Sequence, residues 1–166
     1  MQSICAEGWP LPTALYLEDL YVGQRFRSAT KFVAETEATS FARAFDPQPF
    51  HLDRDAAIAS IFGRLAASGW HTGAMTMRLL VDSEFRIAAG IVGTGFDEFR
   101  WTRPVYPGDA LHLETEVVEV RSSKSNQDQG RVKVRITTLN QEMEPVQVLL
   151  ANLIVPCRPS DTTMTS

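Results

Sequence analysis

Residues 68–85 read SGWHTGAMTMRLLVDSEF, and the folding of this stretch decides the architecture of the chain. Trp70, Ala74, Met77, Val81 and Phe85 recur at spacings of four, three, four and four, which lines them up on one face of an α-helix. Met75 and Leu79 widen that stripe, so the spacing predicts a helix with little surface left for water. Ser68 stands where a cap is expected, with a side-chain oxygen free to accept from the first turn. Beyond Gly90 the period changes to two. Residues 91–105, 110–121, 130–139 and 146–155 read as strands, divided by YPGD and by SSKSNQDQG. Leu111, Leu113, Thr115 and Val117 alternate with His112, Glu114 and Glu116. Val132, Val134 and Ile136 alternate with Arg131, Lys133 and Arg135. The last strand is apolar on nearly both faces, which suits the centre of a sheet. The prediction is an α+β domain over residues 1–157, in which a curved, largely antiparallel sheet wraps a long central helix. Residues 158–166 are too polar to pack and are expected to form a loose tail.

Upstream, Met1–Tyr21 is expected to be an irregular lead-in lying across the domain. Gly23–Val33 alternates as a strand, with Phe26, Ser28 and Thr30 on one face and Arg25, Arg27 and Lys31 nearer solvent. The run TEATSFARAF offers Thr36 as a helix cap, Glu37 in the favourable first turn, and Phe41 with Phe45 four apart. Asp46 must end that helix, because a residue before proline is pushed out of the helical region. Gln48 precedes Pro49 and is restricted in the same way, so residues 46–51 read as an extended, stiff connector. DRDAAIAS follows as a short helix capped by Asp53, and Gly63 breaks the pattern.

The 166 residues carry a net charge of −4 without a basic stripe, which argues against a nucleic-acid partner. No apolar run reaches the roughly 18 residues of a membrane-spanning helix, so no membrane partner is expected. No basic region followed by an apolar run opens the chain, so no signal peptide is read there. Cys5 and Cys157 show no metal-ligand spacing, and no metal is expected. A reduced, cytoplasmic protein is the expectation.

Asp46 and His51 flank the stiff connector, and Gly69 opens the predicted central helix. The first N–H groups of a helix have no internal partner and carry partial positive charge, so the Gly69 amide could steady a carbonyl oxygen gaining negative charge. An acid/base pair beside such a site can bind a water and move protons at the carbons next to a carbonyl. Each piece also has a plainer use. Asp46 before proline is a common turn former, His51 alone is a packed or surface histidine, and Gly69 is a tolerant helix-start residue.

The run FARAFDPQPFHLDRDAAIASIFGRLAASGWHTGAMTMRLL, residues 41–80, resembles the hydratase motif of the MaoC-like, (R)-specific enoyl-CoA hydratases. The matching positions are Asp46, Pro49, Phe50, His51, Ala56, Phe62, Gly63 and Gly69. Residues 99–111, FRWTRPVYPGDAL, are similar to a strand–turn–strand element of the same family at Pro104, Val105, Pro107, Gly108 and Asp109. The resemblance covers about residues 20–155. It implies a hotdog fold and a carbon–oxygen lyase acting on an enoyl-CoA-type thioester. It also implies Asp46 and His51 as the catalytic pair, Asp46 as base with the reverse left open, and Gly69 as the oxyanion contact. No cofactor is implied beyond the coenzyme A of the substrate. The partners implied are that acyl-CoA and a second copy of the chain, in a homodimer or a higher homo-oligomer of dimers, with the site at the interface. Phe45, Gln48, Phe50, Ser68 and Trp70 are candidate substrate-binding residues, although Trp70, Met75 and Met77 suit the core better than ligand contact. Arg100 and Arg103 are candidates for the coenzyme A phosphates.

The chain departs from the family pattern in three places. Ala44 and Phe45 replace a small–glycine pair, and a bulky Phe45 would reshape the acyl pocket. Gln48 stands for the usual asparagine. Met77 occupies the position of a helix hydroxyl that bonds the catalytic aspartate, for which Thr72 or Thr76 could substitute. A hotdog thioesterase and a non-catalytic acyl-CoA-binding module are the competing readings. His71 either packs or approaches the site, and His112 is expected to be solvated.

Overall fold

The computed structural model describes residues 14–124 and 126–159. Among them the elements run β1 Arg25–Arg27, β2 Lys31–Phe32, α1 Glu35–Phe45, α2 Pro49–Leu52, α3 Arg54–Ile58 and α4 Gly69–Val81, then β3 Val92–Trp101, β4 Ala110–Ser122, β5 Gln129–Leu139 and β6 Pro145–Pro156. The strands form one antiparallel sheet in the order β1-β4-β5-β6-β3, with β2 also on β4. β6 lies between β5 and β3, the central place its two apolar faces require. The sheet closes around α4 as a hotdog domain. No helix among the described residues is long and apolar enough to cross a membrane.

The two-residue periods hold through the sheet. Leu111, Leu113 and Val117 of β4 and Val132, Val134 and Ile136 of β5 are buried, with Val146 and Val155 of β6 beside them. Burying each of these removes apolar surface worth roughly 1.5–3 kcal/mol. The predicted strand 23–33 is broken instead into β1 and β2. Ser28 leaves the regular ladder at the break, where its Oγ accepts from Leu113 N at 2.9 Å, and Thr30 is exposed. Leu15 pairs with Ile87, and a 3-10 turn at Leu17–Asp19 packs Leu17 and Leu20 on the core, as a lead-in across the domain would. Residues 1–13 and 160–166 lie outside the described residues, so Cys5 and most of the expected tail do as well. Arg158, at the start of that tail, binds Asp19 at 2.7 Å.

Three local expectations change. α1 starts at Glu35 with Ala34 at the cap and no side-chain cap bond, so Thr36 lies within the first turn and does not cap it. Glu35 and Glu37 supply the favourable charge there. The connector is extended only to Gln48. Pro49 then opens the one-turn α2, since its fixed φ suits a first helical position and its missing N–H costs nothing there.

The face that α4 buries is the third change. His71, Thr72, Met75, Thr76, Leu79 and Leu80 face inward, while Trp70 is 60% exposed and Ala74, Met77 and Val81 also face out. Phe85 lies beyond the helix and turns into the core against Phe26, ring centroids 5.2 Å apart. The inward hydroxyls are satisfied. Thr72 donates to Ser68 O at 3.3 Å, and Thr76 bonds Thr138 at 2.7 Å and accepts from Gln147 at 3.0 Å. A polar group bonded in this way can be buried at little cost.

Candidate active site

Asp46 ends α1 just as Pro47 demands, with φ −150° and ψ 65°, which swings its carboxylate away from the helix. Two turns of chain later α2 presents His51, whose ring is buried between Phe50 at 4.6 Å and Phe62 at 6.2 Å. His51 Nε2 lies 3.3 Å from Asp46 Oδ2. His51 Nδ1 lies 2.8 Å from Ala66 O. A carbonyl can only accept, so Nδ1 carries a hydrogen, and Nε2 is the ring nitrogen turned to the carboxylate.

Asp46 is held from two further directions. Ser68 Oγ donates to Oδ2 at 2.7 Å and Gln48 Nε2 donates to Oδ1 at 2.9 Å. Burial alone would raise the Asp46 pKa, but the Ser68 and Gln48 bonds and the neighbouring His51 outweigh it and hold the carboxyl below its usual value. Gln48 thus does here what a shorter amide would do, reaching back two residues to the carboxylate.

Ser68 is fully buried and has two tasks. Its Oγ accepts from Trp70 N at 3.2 Å as the cap of α4 while its hydrogen goes to Asp46. The first intrahelical donor of α4 is Thr72 N, bonded to Ser68 O at 3.0 Å, so Gly69 N–H precedes the ladder. Gly69 has a packing reason as well. A Cβ there would come within 2.7 Å of the Trp101 indole, and one at Gly73 would lie 3.7 Å from Phe99. Glycines four apart form a groove on α4 into which Phe99 and Trp101, two apart on β3, insert.

These groups share one cleft of about 470 Å³, whose wall includes Asp46, Gln48, Phe50, His51, Gly69, Trp70 and Arg103 together with Phe62, Thr72, Trp101 and Val105. Ser68 lies behind the wall. Phe45 and Arg100, also predicted to bind substrate, are not brought to it either. Phe45 is 74% exposed and packs on Phe41 outside the cleft, ring centroids 5.1 Å apart, because it lies on the outer face of the last turn of α1. Arg100 is 71% exposed and pairs with Glu98 at 3.1 Å, since strand alternation turns it to the opposite face from Trp101. Arg103 follows the end of β3, escapes that alternation and lines the cleft, paired with Glu144 at 3.2 Å.

The hydroxyl bonded to Asp46 belongs to Ser68, not to Thr72 or Thr76, and Met77 faces outward. His71 is buried against Phe41 at 5.1 Å, outside the cleft, and burial lowers its pKa. His112 is half-buried on β4, also away from the cleft. Sequence reasoning missed Trp101 and its partner Gln147, which accepts from Trp101 Nε1 at 2.9 Å. The glycine pair at 69 and 73 is the signal that an aromatic ridge must approach α4 closely.

Comparison with known proteins agrees with this fold. A solved structure of a MaoC-like dehydratase from Rhodospirillum rubrum is 52% identical and superposes with a TM-score of 0.85 over 88% of this chain and 99% of that one. The R-hydratase PhaJ1 from Pseudomonas aeruginosa, in its unliganded form, is 29% identical with a TM-score of 0.69, covering 87% of this chain and 88% of that one. Among curated proteins, the uncharacterized protein YdeM of Bacillus subtilis is 30% identical over 126 residues, 76% of this chain and 88% of its own. The family model described as "MaoC like domain" matches residues 20–140, which contain Asp46, His51 and Gly69, and the chain belongs to that family.

Proposed function

We propose that this protein is a hydratase/dehydratase that adds water to, or removes it from, the α,β double bond of a coenzyme A thioester. The observation that carries the reading is the 3.3 Å approach of His51 Nε2 to Asp46 Oδ2 in the cleft that also holds the first amide of α4. A water donating its hydrogens to these two acceptors would present its oxygen lone pair to a β carbon. In hydration that oxygen bonds the β carbon and one water O–H bond breaks. The double-bond electrons move through the α carbon onto the thioester oxygen, whose charge the Gly69 N–H steadies. The proton taken from water is then returned to the α carbon.

The depressed Asp46 carboxyl supports a division of labour. A carboxylate so well solvated by Ser68 and Gln48 orients the water, and imidazoles as a class are stronger bases than carboxylates. His51 Nε2 is therefore the group we assign to take and return the proton, which reverses the assignment of Asp46 as base. The family and the hydratase name of the Pseudomonas relative support the same chemistry. No metal or redox cofactor enters the step. Arg103 is the arginine assigned to the coenzyme A phosphates, its guanidinium keeping donors beyond those used on Glu144. A coenzyme A substrate and the free Cys157 thiol suit a reducing, cytoplasmic setting.

We assign the second partner as another copy of the chain. β3 pairs only with β6 among the described residues, so one long edge stays open, with Val92 and Phe96 exposed along it. An apolar strand edge of this length is an aggregation hazard unless it is covered, and antiparallel pairing with its own copy closes it by symmetry.

The test is a panel of enoyl-CoA and acyl-CoA compounds, following both loss of the conjugated double bond and release of thiol. Hydration without thiol release, abolished in a folded Asp46→Asn variant, is the expected result. Thiol release would favour a thioesterase, and binding without turnover a non-catalytic module.

A further inference from the structure

We propose that an aromatic partition along one wall of the cleft restricts this enzyme to short acyl groups, an inference that rests on the thioester reading above. Trp101 meets Trp70 edge to face at 5.1 Å and Phe99 at 5.0 Å, and the Trp70–Phe99 distance is 5.8 Å. Against Trp70 and Phe99 lies a second, apolar cavity of about 230 Å³ along the seam between α4 and β3. Gly73, Met77, Leu80, Phe96 and Leu149 are among its walls. Trp70 lines both spaces, Trp101 the first and Phe99 the second, so the aromatic cluster stands between the two cavities.

The partition is anchored and does not swing freely. Trp101 Nε1 donates to Gln147 Oε1 at 2.9 Å, Gln147 donates to Thr76 at 3.0 Å, and Thr76 bonds Thr138 at 2.7 Å. Gln147 is fully buried, so moving the indole would strand its amide oxygen without a partner. The indole face also rests on Gly69, the residue whose amide is assigned to the thioester oxygen. A carbonyl seated at that amide therefore has Trp101 beside it, and an acyl chain growing past its β carbon meets the rings within a few atoms. Nothing in the anchoring chain touches the Asp46–His51 pair, which separates chain-length selection from chemistry.

The experiment compares the intact protein with a Trp101→Leu/Gln147→Met variant, which removes the partition and its buried partner together so that no amide is orphaned. Hydration of crotonyl-CoA and 2-decenoyl-CoA is measured alongside calorimetric binding of butyryl-CoA and decanoyl-CoA, with circular dichroism to confirm folding. Phe99→Ala, which thins the same partition and leaves the Gln147 chain intact, serves if the double variant does not fold. The intact protein is expected to favour the short thioester by roughly tenfold or more in kcat/KM and in affinity, the scale on which apolar pockets discriminate chain length. The opened variant should lose most of that preference by gaining the long substrate. Equal handling of both lengths by the intact protein, or an unchanged preference in a folded opened variant, would overturn the partition. Short-selective binding without hydration would instead sink the hydratase reading and leave the partition standing. Failure to bind either thioester would sink both.

Discussion

Replacing Ser68 with alanine removes two interactions through one atom, and the structure allows each to be sized. As cap of α4, the Ser68 oxygen accepts from Trp70 N, and losing such a cap costs typically ~1 kcal/mol. As donor to Asp46 at 2.7 Å, it makes a hydrogen bond to a charged group, worth about 1.5–3 kcal/mol. The Asp46 side chain is only 17% exposed, so water screens this bond far less than a surface pair. Ser68→Ala should therefore destabilise the protein by about 2.5–4 kcal/mol in the native background. In an Asp46→Ala background only the cap is left to lose, so the same substitution should cost ~1 kcal/mol. Urea unfolding of the four proteins closes a double-mutant cycle whose coupling should be about 1.5–3 kcal/mol. Additivity within ~0.5 kcal/mol would show that the Ser68–Asp46 bond does not hold the carboxylate, and the account of its acidity would fall with it.

The same variant has a signature in pH. Asp46 titrates below an ordinary carboxyl in the folded protein, so its contribution to stability is present above the unfolded value and is lost as pH falls through the lower folded one. Ser68→Ala removes a donor that favours the charged form, so the acid limb of stability should move to higher pH; an unmoved limb would contradict this. Gly69→Ala drives a methyl to within 2.7 Å of the Trp101 ring, and overpacking of that kind costs roughly 1–3 kcal/mol, read as a lower Tm with loss of hydration. Retained activity and unchanged Tm would exclude the close seating of Trp101. Phe96→Lys places a charge on the open edge face of β3 and should convert a dimer into monomers in sedimentation, whereas an unchanged mass would place any interface elsewhere.

Much of the site could be read before the fold was known because its determinants are local. Pro47 fixes where α1 ends, Asp53 caps α3 by accepting from Ala56 N at 2.8 Å, and Gly63 takes the positive φ of 66° that a break there needs. Strand alternation also orients most of the sheet, and applied to β3 it separates Arg100 from Trp101. What could not be read depends on partners distant in sequence. The apolar stripe of α4 fits a core and a protein interface equally well, and only Gln147 and Thr138, on strands more than 60 residues away, make the hydroxyl face the buried one. The Ser68–Asp46 bond spans 22 residues, so a capping serine showed one of its tasks and hid the other.

In the proposed reaction the Asp46–His51 pair and the Gly69 amide deliver water to the β carbon of a thioester. Turnover of crotonyl-CoA in water enriched with oxygen-18, with the product examined by mass spectrometry, tests this directly. The label should appear as a hydroxyl on the β carbon of an intact thioester. Label in a free carboxylate, accompanied by released coenzyme A, would contradict it.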